Sequence, residues 1–109
     1  IAENTALVFE AKAHVQYHPG YPVMRNHAQQ TKLAADVARV VSGQCDEAPL
    51  VMGGEDFAYM LLERPGAYIL MGNGDTAAVH HPEYNFNDAA IPAGVSFWVE
   101  LAESRMPAA

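Results

Sequence analysis

The sequence predicts an α/β layered domain, and three observations carry that expectation. Apolar residues recur with helical spacing over residues 27 to 42 and again from Ile91 to Ala102. A continuous apolar run, Ala67-Tyr68-Ile69-Leu70-Met71, is rich in strand formers and has the length of a strand buried on both faces. Glycine and proline clusters separate these segments, so the order is helix, loop, helix, buried strand, loop, helix. One or two strands are too few for such a sheet, which needs more strands than this segment contains.

Composition narrows the class. The 109 residues fall in the range of a single domain, and 50% hydrophobic with 17% charged residues is the balance of a folded protein rather than a disordered one. A formal charge of −7 with six scattered basic residues excludes non-specific recruitment by nucleic acid or by an anionic membrane. No apolar run approaches the roughly 18 residues that span a bilayer, and no signal-peptide pattern opens the chain. The single cysteine, Cys45, has no internal partner, which points to a reducing, cytoplasmic setting. The chain opens on Ile1-Ala2-Glu3, inside what reads as a helix, so a cut fragment is expected.

In chain order, Ala2, Leu7, Val8, Phe9 and Ala11 suit a short helix over Ile1 to Ala11. Ala13, Val15 and Tyr17 then alternate with His14, Gln16 and His18, the period of a half-exposed strand. Pro19-Gly20 and Pro22 stop any regular element and mark a domain boundary, giving 1–19 and 20–109. Asn26 is placed to cap the next helix, whose face carries Leu33, Val37, Val40 and Val41, and Gly43 suits a left-handed C-terminal position. Pro49-Leu50-Val51-Met52 leads into Gly53-Gly54, and Asp56 to Glu63 reads as a helix with Phe57, Met60 and Leu61 on one side. Arg64-Pro65-Gly66 ends it before the buried run. A loop from Gly72 to Asp75 onward carries the histidines. Pro92 suits the first turn of a last helix, with Ile91, Val95, Trp98, Val99 and Ala102 as its apolar face. Met60, Met71 and Trp98 are expected in the core.

Two stretches carry chemistry. His80-His81-Pro82 follows the buried run at the strand end where α/β folds build their ligand crevices. A neutral imidazole there is able to bind a divalent metal, and adjacent histidines diverge, so one of the pair would coordinate a given ion. The alternative is a polar loop with one exposed and one hydrogen-bonded histidine. Gly53-Gly54-Glu55-Asp56 lies at a turn into a helix, where glycine permits positive φ or close approach and free N–H groups favour an anion such as a substrate carboxylate. The alternative, favoured by residue type, is that the acids cap the helix. His14, His18 and His27 suit exposed faces, and Cys45 has no basic neighbour to activate it. No serine elbow, P-loop, dinucleotide fingerprint or Cys-x-x-Cys pair occurs.

In order and spacing, Gly20-Tyr21-Pro22-Val23 with Asn26, Met52 to Phe57, Pro65-Gly66-Ala67-Tyr68 with Gly72-Asn73-Gly74, and His80-His81-Pro82 with Tyr84 to Asp88 resemble one family across nearly the whole chain. That family is the hippurate hydrolase and N-acyl-amino-acid amidohydrolase group of the two-metal aminoacylase/carboxypeptidase superfamily. The resemblance implies a much longer enzyme. Residues 1–19 would be the last helix and strand of an α+β lid that mediates dimerisation. Residues 20–109 would be the C-terminal part of a three-layer α/β/α metallopeptidase-like catalytic domain. It implies His80 as a ligand of one of two zinc or manganese ions, and Gly53, Gly54 and Glu55 lining the pocket for an N-acyl amino acid. The family's remaining ligands and its general base, a glutamate, lie upstream and do not occur in these residues. The chain alone is therefore expected to be inactive, needing the remainder of the catalytic domain and forming a homo-oligomer. A non-catalytic binding or assembly domain that reuses this fold portion is the alternative.

Overall fold

Four helices and one short 3-10 turn form along the chain in the computed structural model, which describes residues 1–106. Helix α1, Ala2–Val8, is shorter than its apolar pattern suggests, and none of its residues is buried. It ends because Glu10 takes a left-handed conformation, φ +55°. The Glu10 N–H then donates to Leu7 O (3.1 Å) and the Ala11 N–H to Ala6 O (3.0 Å), which is a Schellman closure.

Helix α2, Ala28–Ser42, forms where its spacing predicts, and Gly43 closes it at φ +80° with its N–H on Arg39 O. The start differs from expectation. His27 is the N-cap, without a side-chain cap bond, because the Asn26 amide is engaged elsewhere. Helix α3, Phe57–Glu63, and helix α4, Ile91–Arg105, follow; Pro92 lies in the first turn of α4, and Asn87 Oδ1 accepts from the Ala89 N–H to start the preceding 3-10 turn, Asp88–Ala90.

The packed core is small. Among the described helices, α2 and α4 are the pair that pack together, through Ala34 and Val37 against Phe97, with Ala38, Ala67 and Leu101 around them. Ala58 and Leu61 of α3 are buried against loops instead. The face of α4 that packs is thus set by Phe97 and Leu101. Ile91, Val95, Trp98 and Val99 are exposed, and so are Met60, Met71 and Val40, all expected in the core. Apolar residues lie on more than one side of α4, and among the described helices α2 covers the side that carries Phe97 and Leu101.

No strand forms among the described residues, so the three-layer sheet is not seen in this chain. The reason is that a strand exists by its neighbour: residues 13–17 and 67–71 have no ladder partner here. The run 66–68 instead lies against Asn26-His27. The Tyr68 N–H donates to Asn26 Oδ1 (2.7 Å) and Asn26 Nδ2 donates to Tyr68 O (2.8 Å). The His27 N–H donates to Gly66 O (3.0 Å), and the Gly66 N–H donates to His27 Nδ1 (3.2 Å). Two side chains and one amide thereby satisfy the edge formed by residues 66 and 68. Ile69, Leu70 and Met71, expected to be buried on both faces, are exposed.

The shape follows from that small core. The Cα radius of gyration is 20.9 Å, with extents of 71 × 38 × 20 Å, whereas a compact domain of this length has about 13 Å. The accessible surface is 9629 Å², against about 5,900 Å² for a compact protein of this mass. None of residues 1–20 or 49–52 is buried, and Leu50 and Met52 are fully exposed.

Candidate functional site

The glycine turn is built by contacts from three directions. The Phe57 N–H donates to Glu55 Oε1 at 3.0 Å, so Glu55, one residue before the N-cap Asp56, satisfies the first amide of α3. That bond holds the Glu55 carboxyl below its ordinary range, with the Tyr68 hydroxyl adding to the effect. The same negative charge raises Tyr68 above the usual phenol range. The Glu55 shift thus comes chiefly from the Phe57 N–H, and the Tyr68 shift from the charge of Glu55. The Tyr68 ring in turn packs on Phe57, with centroids 5.4 Å apart. Asn26 holds the Tyr68 backbone, so the turn is linked through Tyr68 to the start of α2.

Gly54 is needed for a reason the spacing does not reveal. Positive φ among the glycines occurs at Gly43 and Gly74, not at Gly54. A Cβ on Gly54 would instead sit 2.8 Å from Cδ2 of the Tyr21 ring. The close approach is made by this chain's own aromatic ring. Tyr21 also meets Tyr59 of α3 edge-on, centroids 5.9 Å apart.

The histidine loop sits at the far end of the extended run. His80 adopts φ +70°, a left-handed conformation that costs a non-glycine residue on the order of 1–3 kcal/mol. Neighbouring bonds hold it there: the His81 N–H donates to Ala78 O and the Tyr84 N–H to His81 O. The Glu83 N–H donates to His81 Nδ1 at 3.1 Å, so that nitrogen is committed to the loop. His80 is exposed and takes part in none of these bonds. Asn73 ties the next segment down, with Nδ2 donating to Asn85 O and Oδ1 accepting from the Asn87 N–H.

These parts do not converge into one pocket within the described residues. An open depression of about 880 Å³ lies along the loop between Asn73 and Asp88, with Asp75, Glu83 and Asp88 on its rim. An apolar groove of about 220 Å³ runs between α2, α4 and residues 66–69. Neither is lined by His80, Gly53, Gly54 or Glu55. Among the described residues no three His, Cys, Asp or Glu side chains group in a way that could hold a metal ion. Among the described residues, therefore, His80 has no companion ligands close enough to complete a metal centre. Spacing gave Tyr21 and Tyr68 no part in the site, and Asn26, expected to cap α2, holds the Tyr68 backbone instead. Their signal was their place in the quoted motifs; their function is visible only in the contacts between those motifs.

Residues 3–104 match the family model described as peptidase family M20/M25/M40. Similar proteins include an N-acetylcysteine deacetylase of Bacillus subtilis strain 168, 29% identical over 94% of this chain and 27% of that protein. An N-acetyl-L-cysteine deacetylase of the same strain is 31% identical over 94% of this chain and 25% of its own length. An N-acetyldiaminopimelate deacetylase of Geobacillus sp. strain WCH70 is 32% identical over 85% of this chain and 25% of that protein. The chain spans about a quarter of the length of the curated relatives it matches. No solved structure matches it.

Proposed function

The chain belongs to peptidase family M20/M25/M40, and on that premise we propose that it is the C-terminal part of a metal-dependent amidohydrolase that cleaves N-acyl amino acids. The observation that carries the reading is the family match over residues 3–104, joined to relatives named as deacetylases of N-acetylated amino acids. Those names favour a small acyl group; hippurate represents the aromatic end of the same substrate class.

Within this reading His80 contributes one ligand to a divalent metal centre, zinc or manganese, that activates water toward the amide when bound. The exposed imidazole, with its neighbour His81 committed to Glu83, supports His80 over His81. The other ligands and the general base come from outside these residues. The backbone of Gly53 and Gly54, with Glu55 beside it, lines the substrate pocket. The N–H groups of both glycines enter none of the hydrogen bonds formed by the described residues, which supports that role. Residues 1–19 belong to a lid domain and 20–109 to the catalytic domain, and the assembled enzyme is a homo-oligomer.

The test is release of free amino acid from N-acetyl amino acids and from hippurate by the native gene product that carries these residues. Turnover is expected to vanish on chelation and to return with Zn²⁺ or Mn²⁺. His80→Ala is expected to lose about 100-fold or more of it, and residues 1–109 alone to show none. Unchanged activity and metal content in His80→Ala would remove His80 from the site. No turnover of either substrate by the native protein would favour a non-catalytic binding or assembly role.

A further inference from the structure

We infer that Tyr21 is a positioning residue for the Gly53–Glu55 turn, setting where its backbone stands by packing the edge of its ring against the side of Gly54 where a Cβ would lie. The inference rests on the amidohydrolase reading, in which that turn lines the substrate pocket.

Contact comes first. A Cβ at Gly54 would lie 2.8, 3.5 and 3.8 Å from Cδ2, Cε2 and Cγ of Tyr21, so the ring covers the glycine along one side. Gly54 has no positive φ to explain its lack of a side chain. The space the ring occupies is what excludes one.

The ring is itself held. Pro22 restricts the Tyr21 backbone to extended conformations, and Pro19 stiffens the approach two residues earlier. On its other side Tyr21 meets the Tyr59 ring edge-on, interplanar angle 71°, which ties it to the first turn of α3. The turn is thus clamped between Tyr21 on one side and the Glu55–Phe57 hydrogen bond on the other. Tyr21 and Gly54, 33 positions apart in the chain, are two halves of one contact. A polar substrate end meets a backbone whose position depends on a ring that need not touch it, and displacement of about 1 Å at such a site reaches as much as 100-fold in rate.

The test uses the native protein with an N-acetyl amino acid as substrate. Tyr21→Ala is expected to raise KM about tenfold while kcat stays within about threefold, and Tyr21→Phe, which keeps the ring, to match the unmodified protein. Gly54→Ala is expected to raise KM at least as much. Tyr21→Ala added to Gly54→Ala should lower KM relative to Gly54→Ala alone, because the vacated ring position admits the new Cβ. If Tyr21→Ala does not fold, Tyr21→Leu, which lacks the aromatic ring, carries the same comparison. An unchanged KM in Tyr21→Ala or Tyr21→Leu, or effects at the two positions that simply add, would overturn the inference alone. An unmodified protein that turns over no N-acyl amino acid would overturn the functional reading and this inference with it.

Discussion

Asn26 shows how one side chain substitutes for a neighbouring strand. Its amide donates to and accepts from the Tyr68 backbone at 2.8 and 2.7 Å, meeting both polar groups of that residue. Asn26→Ala removes both bonds and strands two backbone groups, so a loss of about 1–3 kcal/mol is expected in chemical denaturation of the native protein. A loss near zero would show that water replaces the amide. Glu55 gives a prediction with a sign. Its folded pKa is depressed, chiefly by the Phe57 N–H, so its stabilising contribution is present above the unfolded value, about 4.3, and is lost as pH falls through the lower folded value. Stability should therefore decline from about pH 5 downward. Glu55→Gln should flatten that part of the profile, and an unchanged profile would remove Glu55 as its source.

At the scale of elements, the α2–α4 pair holds what core there is. Phe97 is the one buried side chain of α4, seated against Ala34 and Val37. Phe97→Ala should cost about 3–5 kcal/mol, read as a lowered denaturation midpoint with the slope retained. Trp98, one position on, is 67% exposed, and the contrast is informative. Should Trp98→Ala destabilise the native protein by as much as Phe97→Ala, a second packed layer covers the outer face of α4 there. The exposed Lys32–Asp36–Arg39 cluster on α2, 2.7 and 3.1 Å, is a surface arrangement from which little stability is expected. Helix positions were legible because their spacing is internal to each segment: α2 and α4 lie where the apolar period predicts, to within three residues at their ends. Which face packs was not legible in α4, because apolar residues surround it and the partner selects among them.

The whole molecule is defined by what it leaves uncovered. With a radius of gyration of 20.9 Å and Leu50, Met52, Leu70 and Trp98 exposed, residues 1–109 present far more apolar surface than a chain of this size ordinarily shows water. In isolation these residues are expected to bind a hydrophobic dye and to self-associate with rising concentration, checked by fluorescence and light scattering. A strictly monomeric species without dye binding would mean that the extended arms fold back onto the helices. The charge of −7 opposes association and should make it weaken at low salt.

The amino-acid sequence alone carried the helices, their ends at Gly43 and near Pro92, and the family resemblance, because spacing, caps and motifs are properties of neighbouring residues. It also predicted strands over residues 13–17 and 67–71, and none forms among the described residues. Long-range contact decided the rest. That Asn26 serves Tyr68 rather than α2, and that Gly54 makes room for Tyr21 rather than for a positive φ, depends on groups 42 and 33 positions apart meeting in space. No local pattern encodes such a meeting, since its energy comes from the partner and not from the segment.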